Sequence, residues 1–306
     1  MKSRSFTQVD VFTAQPYLGN PVAVVLDSEG LSDEAMQQFA RWTQLSETTF
    51  VLPVSAAAQA QGADYRVRIF TPGGELPFAG HPTLGTAHAW REAGGQPQQP
   101  DRIVQECGVG LITLRPGPAN TWAFAAPALQ RQAVSSDDVG RVCQALGLDS
   151  AHLLRAQHLH NGPQWLGLLL DSVEAVWALE PDHAALKQTG FKVGVAAQHS
   201  ATPGLIGRAN REARAFAQSR TAASDADLEV RAFAAAIGIT EDPVTGSLNA
   251  SLAQWLMAEG VMPQHYTASQ GAALGREGRI DLQQDAHGQV WVGGHSVTCI
   301  TGQVLL

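Results

Sequence analysis

The chain has 306 residues, of which 44% are hydrophobic and 16% charged, a balance that describes a compact globular protein and excludes a disordered one. With 20 Lys and Arg against 28 Asp and Glu the formal net charge is −8, which disfavours nucleic acid or an anionic membrane surface as the main partner. No run approaches the ~20 apolar residues of a membrane span. Met1 to Phe6 lack the apolar core of a signal peptide. The three cysteines, Cys107, Cys143 and Cys299, are scattered and odd in number, giving no disulfide framework and no metal spacing. A cytoplasmic protein of about two domains is expected.

Residues 9–12 and 22–26 read as strands, joined through a turn region around Pro16 and Gly19-Asn20-Pro21. Ser32 caps a helix with Asp33 and Glu34 in its first turn and Met36, Phe39, Ala40 and Thr43 inward. Ser46-Glu47-Thr48 leads into a buried strand over 49–52, and the alanine- and glutamine-rich stretch 55–62 reads as a loop. Tyr65, Val67 and Ile69 alternate with Arg66 and Arg68, a half-buried strand. A helix follows to Gly94-Gly95, then a hairpin of 103–104 and 111–114 around Gly108 and Gly110, then a strand over 122–125. Composition turns polar over 127–136, the expected crossover between domains.

Residues 137–146 predict a helix closed by Gly147. Strands are expected over 165–170 and 191–197, with short helices over 173–179 and 183–187. The polar, alanine-rich stretch 208–227 is ambiguous. Leu248, Leu252, Trp255 and Leu256 recur at helical spacing with Ala250, Ala253 and Met257 on other faces, the pattern of a buried central helix. Residues 290–292 and 296–306 read as strands.

One unit occurs twice. Glu75-Leu76-Pro77-Phe78-Ala79-Gly80-His81 matches Glu241-Asp242-Pro243-Val244-Thr245-Gly246-Ser247. Each follows a near-identical strand, Val67-Arg68-Ile69-Phe70 and Val230-Arg231-Ala232-Phe233. The offset is 163 residues at the strand and 166 at the glycine. Two copies indicate a duplicated domain, not a solenoid. Each glycine opens a helix, with His81 before Pro82 at the first start and Ser247 as N-cap of the second. Free N–H groups at helix starts bind anions, so two starts facing each other would cradle a carboxylate or a developing enolate. The alternative is a pair of ordinary capped helices.

Glu47 enters an apolar strand, which is costly for a carboxylate unless it is paired or functional; the plain reading is an edge glutamate. His81 is an N-cap ring with or without a task. Asp242 precedes a proline in a turn, where aspartate is common, and Glu75 and Glu241 could simply favour the helix starts. Gly108-Val109-Gly110 lacks the third glycine of a dinucleotide fingerprint, and no P-loop is present. Gly246-Ser247-Leu248-Asn249 is not a hydrolase elbow. His158 and His160 are two apart and His81 and His88 seven apart, which leaves a metal site open but unsupported, since such a site needs three or four convergent ligands.

Taken together, Asp10-Val11-Phe12-Thr13, Gly19-Asn20-Pro21, Ser46-Glu47-Thr48, Thr71-Pro72 with Glu75, Phe78-Ala79-Gly80-His81-Pro82-Thr83, Arg231 with Phe233 and Gly238, Glu241-Asp242-Pro243 with Thr245-Gly246-Ser247, and Gln270-Gly271 with Gly275-Arg276 resemble the PhzF family. This is the phenazine-biosynthesis isomerase group within the diaminopimelate-epimerase-like fold. The resemblance implies an α+β fold of two pseudo-symmetric domains, each a curled, mostly antiparallel sheet around a central helix. The expected division is 1–128, to which the strand at about 295–306 returns, and 129–294. The resemblance further implies a site in the cleft between them, a homodimer, a small-molecule carboxylate substrate and no cofactor or metal. Glu47 would be the acid/base, with His81, Asp242 and Ser247 in polar substrate contacts and Gly80 and Gly246 supplying backbone donors. Members often carry a proline where this chain has Ala235, which bears on the loop before Glu241. Cysteine-using relatives of the superfamily place a thiol at each helix start, where this chain has His81 and Ser247. Two-base racemisation needs a base on each face of the carbon, whereas one glutamate suits a same-face proton shift. Three readings stay open: such an isomerase, of the type acting on 2,3-dihydro-3-hydroxyanthranilate, an epimerase or racemase of an amino-acid-like substrate, and a non-catalytic binding protein.

Overall fold

The computed structural model describes residues 1–199 and 226–306; nearly all of the ambiguous stretch 208–227 lies outside them. Among the described residues the strands join in one eighteen-stranded sheet, and the pairing order repeats. In the first half, Ser296–Leu305 pairs antiparallel with Ser3–Val11, which pairs antiparallel with Asn20–Val25. The last runs parallel to Glu47–Leu52, itself antiparallel to Tyr65–Thr71. In the second half, Gln130–Gln132, Leu153–His160, Gln164–Leu170, Val193–Gln198 and Leu228–Ala234 follow with the same sequence of directions. The duplicated strands then continue through parallel partners, Ile103–Cys107 and His265–Gln270. Beyond them lie Gly110–Pro116 and Gly278–Gln284, then Trp122–Ala125 and Val290–Gly294. These last two strands pair with each other, so the two curled sheets meet edge to edge.

Each half wraps a central helix. Gly80–Glu92 buries His81, Thr83, Leu84, Gly85, Thr86, Ala87 and Ala89, and Gly246–Ala258 buries Leu248, Leu252, Trp255 and Leu256 with small residues between them. Small residues on so many faces let the sheet close all round the helix, and removing this apolar surface from water drives the packing. The duplicated motif also carries matching polar hardware. Arg68 Nε and Nη2 grip Glu75 at 2.7 and 2.6 Å, and Arg231 Nε and Nη2 grip Glu241, both at 2.9 Å. Each guanidinium also lies over the phenylalanine two residues on, 5.1 Å from Phe70 and 5.0 Å from Phe233. Glu75 and Glu241 therefore pin the return of the chain onto the strand by bidentate pairing; they do not act on the helix starts.

Several local expectations change. Ser55 caps a short helix, Ala56–Gln59, inside the expected loop. Both central helices begin earlier than read: Ala79 and Thr245 are the N-caps, and neither makes a side-chain cap bond. Pro82 consequently sits in the first turn rather than at its head, still among N–H positions that lack an intrahelical partner. The strands Leu153–His160, His265–Gln270 and Gly278–Gln284 were not anticipated. Where proline is replaced by Ala235, a 3-10 turn, Ala235–Ile237, ends at Gly238 in the left-handed region. No helix among the described residues is long and apolar enough to cross a membrane.

Candidate active site

The two helix starts meet where the halves join. A Cβ on Gly246 would lie 3.5 Å from the His81 nitrogen and 3.7 Å from the Gly80 Cα, so the starts are nearly in contact. A Cβ on Gly80 would run into the Phe124 ring. Glycine at 80 is thus required by packing, whereas at 246 a Cβ meets only ordinary contacts. Among the described residues the backbone N–H groups of Gly80, His81, Gly246 and Ser247 meet no acceptor. These donors carry the partial positive charge of both helix starts to one place.

Glu47 is the first residue of its strand, paired beside Val22. Its Oε2 lies 3.6 Å from His81 Nε2. Neither atom has a hydrogen-bond partner, and both are buried. Burial raises the Glu47 pKa above its ordinary value, against the opposing Ser46 hydroxyl. Burial also lowers His81 to about 4, although the Asp242 carboxylate and the Pro21 carbonyl pull the other way. The ring is therefore neutral at pH 7.

Asp242 comes from the second half. Its Oδ1 accepts from Asn20 Nδ2 at 3.0 Å and its Oδ2 from Thr245 Oγ1 at 2.6 Å. Burial first, then the charge of Glu47, raises its pKa to about 6. Glu47, His81 and Asp242 thus form one electrostatic cluster drawn from both halves. Ser247 is adjacent in the chain but turned elsewhere: its Oγ accepts from Trp165 Nε1 at 3.2 Å. The hydroxyl that neighbours Asp242 belongs to Thr245, one residue before Gly246. Two surface hollows, about 310 and 260 Å³, contain none of these residues.

A family model described as phenazine biosynthesis-like protein matches residues 9–302. The chain is 32% identical to trans-2,3-dihydro-3-hydroxyanthranilate isomerase of Pseudomonas aeruginosa, over 98% of this chain and 99% of that one. The chain belongs to the PhzF family. It is also 33% identical, over 99% of both chains, to the Schizosaccharomyces pombe protein called antisense-enhancing sequence 1. A solved PhzF-family structure from Bacillus anthracis covers all of both chains with a TM-score of 0.81 at 22% identity, which shows a shared fold. Several relatives are named isomerases, and this PhzF-family chain is an isomerase.

The PhzF motifs quoted from the sequence acquire physical roles here. Asn20, buried at the head of its strand, reaches across the halves to Asp242 and, at 2.8 Å, to the Val244 carbonyl. Gln270 accepts from the Thr245 N–H at 3.0 Å and from Asn249 Nδ2 at 2.8 Å, and donates to Thr245 Oγ1, bracing the second helix start. Arg276 Nη1 donates to the Tyr17 carbonyl at 2.8 Å, holding the loop that precedes Asn20. In the sequence Asn20 and Gln270 stand out only as letters of the PhzF motifs. The available signal was an amide flanked by Gly or Pro at a strand end, a costly group to bury without a partner.

Proposed function

We propose that this isomerase moves a proton between two carbons on one face of a small carboxylate substrate, with Glu47 as the single acid/base. The reading rests on one observation: Glu47 Oε2 and His81 Nε2 are buried, 3.6 Å apart and without hydrogen-bond partners. A folded protein keeps such groups unsatisfied only for a reason, and a substrate would supply the missing partners. A raised pKa lets one carboxylate accept the proton and then return it near neutral pH. Asp242 and the neutral His81 ring would orient the substrate, and the free N–H groups of both helix starts would stabilise the negative charge that develops as the proton leaves. His81 lies on the Glu47 side of the site, so the two do not form a pair of bases on opposite faces, as racemisation requires.

Trans-2,3-dihydro-3-hydroxyanthranilate, the compound in the name of the Pseudomonas relative, is the first substrate to try. The test is incubation in D2O with the product followed by NMR. Conversion with partial retention of the substrate's own hydrogen supports same-face transfer by one base; loss of optical activity without isomerisation contradicts it. We further infer two working halves, 1–128 with 295–306, and 129–294, and a cytoplasmic homodimer. Sedimentation at micromolar concentration tests the last, and a monomer contradicts it.

A further inference from the structure

The internal two-fold relation has a consequence at the strand that carries Glu47. Thr48 pairs with Phe70, and Val193 pairs with Phe233. Phe70 and Phe233 are the matched phenylalanines of the duplicated strand, so Thr48 and Val193 correspond, and so do the residues before them, Glu47 and Lys192. The parallel neighbour agrees. Glu47 lies beside Val22 in the first half; in the second, the Lys192 carbonyl accepts from the Leu166 N–H at 2.8 Å, which puts Lys192 beside Trp165. The second half therefore carries a cation where the first carries the acid.

The surroundings of Lys192 lead to the second helix start. Its ammonium lies 5.0 Å from the centre of the Trp165 ring, and the same indole donates to Ser247 Oγ. Asn161, only 3% exposed, donates its Nδ2 to the Ser247 carbonyl at 3.1 Å. That carbonyl can only accept, so the amide orientation is settled and Oδ1 is left buried without a partner. Among the described residues no carboxylate lies within ion-pair distance of the Lys192 ammonium. Burial lowers its pKa, and the Asp242 carboxylate opposes that.

We propose that Lys192 and Asn161 form the anchoring end of the substrate site, Lys192 taking the substrate carboxylate and Asn161 Oδ1 accepting from a neighbouring N–H or O–H of the same molecule. This rests on the reading of the junction between the halves as the substrate site. It assigns polarity: the carboxylate points to the second half, and the carbon that loses its proton points to Glu47. The favoured class is a small carboxylate with an amino or hydroxyl group on an adjacent carbon.

The test uses anthranilate and its uncharged carboxamide, anthranilamide, titrated calorimetrically at pH 7 into the full chain. The wild type should prefer anthranilate by about tenfold or more, the scale of a hydrogen bond to a charged group. K192M should lose that preference while binding anthranilamide as before, and K192R should keep most of it. Should K192M fail to fold, K192Q carries the same expectation. Retained preference in K192M or K192Q overturns the proposal, because a lysine that merely balances Asp242 would leave it unchanged. Absence of any preference in the wild type overturns it equally. The result is separable from the proton-transfer reading: E47Q should abolish turnover and keep the preference, whereas K192M should lose the preference whatever E47Q does.

Discussion

Replacing Asp242 by Asn should stabilise the protein, and the gain should appear only as pH rises. In the folded chain the Asp242 pKa is about 6, against an ordinary value of 3.8. The folded state therefore binds more protons than the unfolded state between these values, so this group's contribution to stability falls as pH rises through them. The gap of roughly 2 units corresponds to about 3 kcal/mol at 1.36 kcal/mol per unit. Asn removes the titration and keeps the contacts. Its carbonyl can accept from Asn20, and its amide can donate to Thr245 Oγ1, whose hydroxyl proton is free to rotate. His81 works in the opposite direction in both proteins. Its folded pKa of about 4 lies below the ordinary 6.5, so its contribution improves as pH rises, and the wild-type profile alone is uninformative. The difference between the two proteins reports Asp242 together with His81, whose pKa the Asp242 carboxylate holds up, and both changes move it toward Asp242→Asn as pH rises. Urea unfolding from pH 4 to 8 should give a difference near zero at pH 4, rising to about 3 kcal/mol in favour of Asp242→Asn above pH 7. A flat difference, or one that favours the wild type as pH rises, would refute the placement of a strained carboxylate here.

The duplicated forks should differ sharply. Arg231→Ala leaves Glu241 and the Val176 and Leu179 carbonyls unpaired where both partners are 7% exposed, and should cost about 3–5 kcal/mol in chemical denaturation; Arg68→Ala, with Glu75 at 40% exposure, should cost at most ~1 kcal/mol. Gly80→Ala should destabilise by about 1–3 kcal/mol through collision with Phe124. Gly246→Ala should fold normally, and Gly246→Val should weaken carboxylate binding in the same calorimetric titration without comparable loss of stability. His81→Ala should lower turnover while leaving residual deuterium exchange measurable by NMR; exchange abolished as fully as by loss of Glu47 would require a second proton carrier.

The duplication was legible because its signals are local: a strand ending in Val-Arg-x-Phe, then a glycine that opens a helix. The central helix at 246–258 was legible from apolar spacing alone. The exact helix starts were not, because Ser247 looks like a cap while its hydroxyl accepts from Trp165 and the true cap, Thr245, directs its hydroxyl to Asp242. Leu153–His160 escaped notice because most of its side chains are partly or fully exposed, leaving no clean alternation to read. Glu47, His81 and Asp242 were named from motif and position, but their convergence depends on strand pairing and the junction of the halves. Asn20 and Asp242 stand 222 residues apart in the chain. The correspondence of Glu47 with Lys192 has no sequence signature either; it emerges only when two strand registers are compared.

The central claim is that Glu47 carries the transferred proton. Glu47→Gln keeps the shape of the side chain and removes its titrating proton. Turnover of trans-2,3-dihydro-3-hydroxyanthranilate, or of whichever small carboxylate proves to be the substrate, should fall at least ~10²-fold, the scale of general acid–base catalysis. Solvent deuterium exchange should fall with it, and affinity for anthranilate should stay near that of the wild type. Turnover by Glu47→Gln at close to the wild-type rate would contradict the account.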